Sequence, residues 1–174
     1  MIQIRPIRPR SFRGETLRQE VERELRNIGQ MWRRDLKKTV KTWENKPTFK
    51  VSVKVDTPSQ PVYTVRVWTD NKVYKWLDEG TKPHEIVSVF TSMLRFHEGY
   101  NAKTQPGVID SRSGGEYGEN VFKEEVWHPG VEARNFYETI SEKQRAHIQK
   151  KLQKRFELWA KLTGHTVKVV RTFY

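Results

Sequence analysis

The chain contains no cysteine. Disulfide scaffolds, thiol nucleophiles, iron–sulfur clusters and cysteine zinc sites are thereby excluded, and a reducing compartment is fitted. No apolar run approaches the roughly 20 residues of a membrane helix. The basic start, residues 1–13, has no apolar stretch behind it, so a secretory leader is not expected either. Hydrophobic residues make up only 35% of the chain. Acidic residues are few, 21 against 33 Lys and Arg, for a net charge of +12. Aromatics are plentiful: six Trp, six Tyr and eight Phe in 174 residues. That is too many for a disordered chain and enough to anchor a core or an interface. A chain of this length buries about 70% of its extended surface and holds a core without staples. A soluble protein of one domain plus an added arm is expected.

The positive charge is unevenly spread. Residues 1–44 hold 12 basic and 6 acidic side chains, residues 45–132 hold 11 and 12, and residues 133–174 hold 10 and 3. The middle is neutral and both ends are basic, which favours a polyanion partner, nucleic acid above all. No zinc finger, basic zipper or RNA-recognition signature is present. Lys predominates over Arg and Asn on the second long helix, and lysine meets phosphates as a point charge without reading sequence.

Residues 1–13, MIQIRPIRPRSFR, carry two Pro and four Arg and read as an extended basic arm. Leu17, Val21, Leu25, Ile28, Trp32, Leu36, Val40 and Trp43 recur at helical spacing, so a helix is expected over 15–44. Alternation over 48–56 and 62–69 predicts an antiparallel hairpin turning at 57–61. A short helical turn follows at 73–79, then strand character at 84–90 and 93–96. Residues 99–120 hold five of the ten glycines and predict a long flexible loop. Strand 121–127, helix 133–162 and a last strand 166–173 complete an α+β domain over 14–174. The architecture expected is one antiparallel sheet of four to five strands packed against the two long helices.

Chemistry-bearing motifs are scarce. There is no phosphate-binding glycine loop, no nucleophile elbow and no HExxH. No cofactor is expected. Glu79, His84 and His128 could converge as two histidines and a carboxylate, a set that suits zinc or non-haem iron. The alternative reading is of turn-stabilising histidines beside prolines. Asp78 and Glu79, adjacent on a helical turn, point apart and make no acid–base pair.

Two segments stand out together. Residues 74–86 read YKWLDEGTKPHEI, and residues 121–140 read VFKEEVWHPGVEARNFYETI. The first supplies Glu79, Gly80, Thr81, Pro83, His84 and Ile86; the second supplies Val121, Phe122, Val126, His128, Pro129, Gly130 and Phe136. In this order the pattern resembles the neck, or tail-completion, proteins of long-tailed bacteriophages, also described as head–tail joining or minor tail proteins. Residues 1–13, 99–120 and 166–173 depart from the pattern as additions or extensions. The resemblance implies a non-enzymatic virion protein that assembles in the host cytoplasm into a homo-oligomeric, six-fold ring. Its implied partners are other neck and tail proteins and the DNA passing through, with no membrane. Glu79, Gly80, Thr81, Pro83, His84, His128, Pro129 and Gly130 then read as fold determinants: Gly80 ends a helical turn, Pro83 favours entry into a strand, and Pro129-Gly130 turns strand into helix.

The charge split makes Lys143, Lys150, Lys154 and Lys161 on the second helix, with Arg5, Arg8 and Arg10 in the arm, the residues expected to face DNA. Trp68, Trp76 and Trp127 lie where the apolar pattern does not require them and are expected either at subunit interfaces or in ordinary core packing under the loop. The rival classes are a small metal-dependent nuclease using Glu79, His84 and His128, and a free, sequence-independent DNA-binding protein.

Overall fold

In the computed structural model, which describes residues 2–4, 15–55, 63–89 and 93–162, helix α1 spans Glu15–Thr39. Val21, Leu25, Ile28, Trp32 and Leu36 form its buried stripe. It ends five residues before the sequence pattern does. From Val40 on, the amides of Val40, Lys41 and Trp43 bond to carbonyls three residues back, a tightened turn that ends the α-helical ladder. Helix α2 is Lys72–Glu79, and helix α3 is Phe136–Leu162. Among the described residues no helix is long and apolar enough to cross a membrane.

Among the described residues there are seven strands: β1 Ile2–Ile4, β2 Lys50–Val55, β3 Tyr63–Trp68, β4 His84–Val87, β5 Leu94–Asn101, β6 Gly115–Lys123 and β7 Glu125–His128. Among the described residues the expected single sheet of four to five strands is not formed. Three separate antiparallel sheets take its place, ordered β1-β3-β2, β4-β7 and β5-β6. Alternation in sequence marks a strand but not its partner, and here β5 and β6 pair with each other inside the span that separates β4 from β7.

The expected loop 99–120 is corrected as well. Its ends belong to β5 and β6, and the connection is only 102–114. The glycines serve a bulged hairpin. The register shifts between His97 and Gly99, Gly118 sits at φ +88°, and the Tyr117 ring lies where a side chain on Gly99 would be. The connection is also tied down: Ser111 Oγ donates to the Lys38 carbonyl at 3.1 Å, and Thr42 Oγ1 donates to the Arg112 carbonyl at 2.9 Å.

The basic arm contributes strand β1, which pairs with β3 through Ile2↔Val65, Gln3↔Thr64 and Ile4↔Tyr63. The rest of the arm, with Arg5, Arg8 and Arg10, lies outside the described residues. So do the turn 57–61 and the strand expected at 166–173.

The chain falls into two compact units. The first comprises Met1–Arg33, Lys50–Trp68 and Ser141–Tyr174; the second comprises Arg34–Phe49 and Thr69–Ile140. In the first, Tyr63, Val65 and Val67 of β3, Val21, Leu25, Ile28 and Trp32 of α1, and Ile148, Leu152 and Trp159 of α3 are all buried. Gly29 lets α1 approach the sheet: a Cβ there would lie 2.5 Å from Val51 Cγ1 and 3.3 Å from Val65 Cγ1. Glu24 of α1 is buried, with only 6% of its side chain exposed, and accepts from Arg155 Nε at 3.1 Å with Lys151 Nζ at 3.9 Å.

The second unit is built around Tyr74, which is fully buried. Phe49 meets its ring edge-on at 5.0 Å and Phe136 stacks at 5.4 Å. Trp43 and Tyr137 close the cluster at 6.2 and 6.1 Å. The Tyr74 hydroxyl lies 3.1 Å from Thr39 Oγ1, whose own proton goes to the Leu36 carbonyl at 2.7 Å, so tyrosine is the donor. Burial drives the Tyr74 phenol far above its ordinary range and pushes the Tyr137 phenol up to about 12. Both stay neutral across the physiological range.

Candidate functional site

The two halves of the motif, 79–86 and 126–131 in sequence, meet in the second unit. Thr81 and Val131 exchange backbone hydrogen bonds at 2.8 and 3.1 Å, and the Val131 amide also lies 3.0 Å from Thr81 Oγ1. Gly80, at φ +77°, and Gly130, at φ +86°, each press their Cα face on the other segment. A Cβ on Gly80 would sit 2.8 Å from the Val131 carbonyl oxygen; one on Gly130 would sit 2.9 Å from the Lys82 carbonyl carbon and 3.0 Å from Pro83 N. From this knot β4 and β7 run out side by side, with His84 opposite His128.

Asp78 joins the knot to α3. Asn71 caps α2 through its side chain, which accepts from the Tyr74 amide at 2.9 Å. At the other end, Asp78 Oδ1 accepts from the amides of Phe136 and Tyr137 at 2.6 and 3.4 Å, satisfying the orphan donors that open α3. Desolvation pushes the Asp78 carboxyl above its ordinary value, and its two amide bonds pull the other way. A carboxyl raised in the fold favours folding most at low pH, and that contribution is lost as pH rises through the folded value. Asp78→Asn keeps a cap and removes the buried charge, so it is expected to hold or gain stability at neutral pH and to flatten the pH profile. Asp78→Ala is expected to lose about 1–2 kcal/mol. Thermal melts of both variants between pH 4 and 8 check this.

The histidine pair is arranged for structure. His84 Nδ1 lies 2.9 Å from the Lys82 carbonyl and so carries the proton there. His128 Nδ1 accepts from the Gly130 amide at 3.0 Å, which places the proton of the neutral ring on Nε2. The rings stand 5.1 Å apart. A metal-binding histidine offers one bare nitrogen and donates from the other; His128 has no bare nitrogen left. Glu79 faces Lys75 at 3.9 Å. Among the described residues no group of three or more His, Asp or Glu could hold a metal ion. Glu79, His84 and His128 thus form no ligand set.

On α3, Lys143, Lys150, Lys154 and Lys161 are all exposed. Their spacings of 7, 4 and 7 place them within about 20° of one line on the helix, over about 27 Å of its length. Glu157, the acid nearest that line, accepts from Gln153 Nε2 at 2.9 Å. The stripe lies in the first unit, which holds 20 basic and 7 acidic residues; the second unit holds 13 and 14. The whole positive excess, +13 against −1, therefore belongs to one unit.

The three tryptophans differ. Trp76 on α2 is 53% exposed and Trp127 on β7 is 68% exposed. Trp68 on β3 is half-buried, with the Arg66 guanidinium 5.1 Å from its ring centre. Sequence reasoning passed over Asp78 as a cap, Glu24 as a buried acid and the carboxylates flanking Trp127. None has a local signal: each acquires its role from a residue distant in sequence.

No protein-family model, curated protein or solved structure matches the chain.

Proposed function

We propose that the chain is a structural subunit of a tailed-phage virion, forming a ring in the neck that completes the tail, joins it to the head and lets DNA pass. The observation that carries this reading is the partition of charge: one unit holds the whole positive excess and a lysine line, while the other is neutral and bears exposed aromatics. A lysine line without base-reading side chains suits phosphates of any sequence. Exposed Trp76 and Trp127 suit protein contacts. The motif supports the reading as a fold determinant, since its glycines, Thr81 and both histidines engage one another.

Native mass spectrometry and negative-stain imaging of the purified full chain are expected to show one discrete ring. DNA retention is expected to be independent of sequence and steeply salt-dependent. Lys150→Glu with Lys154→Glu should lower the slope of log affinity against log salt by about 2. A chain that stays monomeric at every concentration would sink the proposal. So would phosphodiester hydrolysis in Mg²⁺ or Mn²⁺ that disappears in His84→Ala.

A further inference from the structure

Two surfaces of this chain carry one pattern in opposite charge. On the β4–β7 ribbon, Glu85 stands opposite Trp127 and Val87 opposite Glu125. These four share a face, because His84, Ile86, Val126 and His128 alternate to the other side. All four are exposed, Val87 at 53%. The two carboxylates occupy one diagonal of the square and the two apolar side chains the other. A two-stranded ribbon has little stability of its own, and exposed large apolar groups of this kind mark a contact surface.

On the β2–β3 pair, Lys50 stands opposite Trp68 and Ser52 opposite Arg66. This face is turned away from the valines on which α1 packs at Gly29. Here the cations occupy one diagonal, and Trp68 with Ser52 the other. Arg66 is drawn against the Trp68 ring, which leaves an amphipathic plate. Both squares are antiparallel cross-strand sets, so their spacings agree.

We propose that the Glu85–Trp127 face of one copy docks on the Lys50–Arg66 face of the next, a step that rests on the ring reading. Carboxylate diagonal meets cation diagonal, while Trp127 and Val87 pack against Ser52 and Trp68. The charges favour a second copy of this chain as the occupant, since the two faces carry opposite charge in the same diagonal pattern. A contact between two different patches is heterologous, and repeated head to tail it generates a ring when the rotation between copies closes.

Charge reversal tests the pairing on the full chain, read by sedimentation velocity, with circular dichroism as the folding control. Glu85→Lys with Glu125→Lys, and separately Lys50→Glu with Arg66→Glu, are each expected to weaken assembly at least about tenfold, since like charges brought together cost several kcal/mol. Mixing the two reversed proteins, or combining all four substitutions in one chain, is expected to restore assembly. Wild-type assembly should also weaken as salt rises, a readout that needs no variant. Assembly that persists in either double variant, or that neither the mixture nor the fourfold variant restores, overturns this interface while leaving the ring reading standing. Loss of DNA retention without loss of assembly in Lys50→Glu/Arg66→Glu overturns it in favour of a phosphate-binding face. A wild-type chain that never assembles overturns the ring reading and the interface with it.

Discussion

Gly130→Ala is expected to cost about 2–5 kcal/mol of stability, from the strain of a left-handed backbone plus forced displacement of neighbours. Gly130 sits at φ +86°, and its added Cβ would drive into the Thr81 carbonyl and lie 2.9 Å from the Lys82 carbonyl carbon. Those atoms are backbone and cannot swing aside. The Thr81–Val131 bridge would have to open, and with it the start of the β4–β7 ladder. Gly107→Ala serves as the control. Gly107 also has positive φ, at +68°, but nothing lies within 4 Å of the added carbon. It should therefore lose only the conformational share, about 1 kcal/mol. Urea midpoints for the two variants separate these cases: equal losses would show that the knot yields easily.

Tyr74→Ala is expected to cost about 3–5 kcal/mol, the usual range for emptying a large buried aromatic site. Four aromatic rings surround Tyr74, and α2 holds it by the Asn71 cap. Tyr74→Phe is expected to cost only about 1 kcal/mol. It removes the bond to Thr39, yet the threonine hydroxyl keeps its partner in the Leu36 carbonyl. Equilibrium unfolding of both variants checks the pair. A phenylalanine variant as damaged as the alanine one would move the weight from packing to the hydroxyl.

Much of the secondary structure was legible because it depends on near neighbours. The stripe from Val21 to Leu36 buries one face of α1, and the alternation on either side of the β2–β3 turn gives pairs such as Val53↔Val65. The partners of β4 to β7 were not legible, since pairing across dozens of residues leaves no local trace. Glycine richness misled at 99–120, where Gly99 makes room for Tyr117 and Gly118 takes a positive φ opposite the bulge. The lysine line on α3 could be read from spacing alone. The opposite square on β2–β3 could not, because it needs the cross-strand register of Lys50 with Trp68.

The placement of β5 and β6 inside the β4–β7 span has a consequence for the order of folding. Val87 and Glu125 stand 38 positions apart, and closing that loop directly is entropically costly. Once Leu94 has paired with Lys123, the loop that Val87 and Glu125 still have to close is only residues 88–93 and 124 long. The closure entropy then falls by about 1.5 kcal/mol, on the logarithmic dependence of loop cost on length. The inner hairpin should thus zip first, from Asn101 and Gly115 outward, and draw β4 onto β7. The Thr81–Val131 bridge would form after them, and only then would Asp78 be in place to start α3. Amide exchange during refolding would show protection arriving in that sequence, with the amides of Phe136 and Tyr137 among the last.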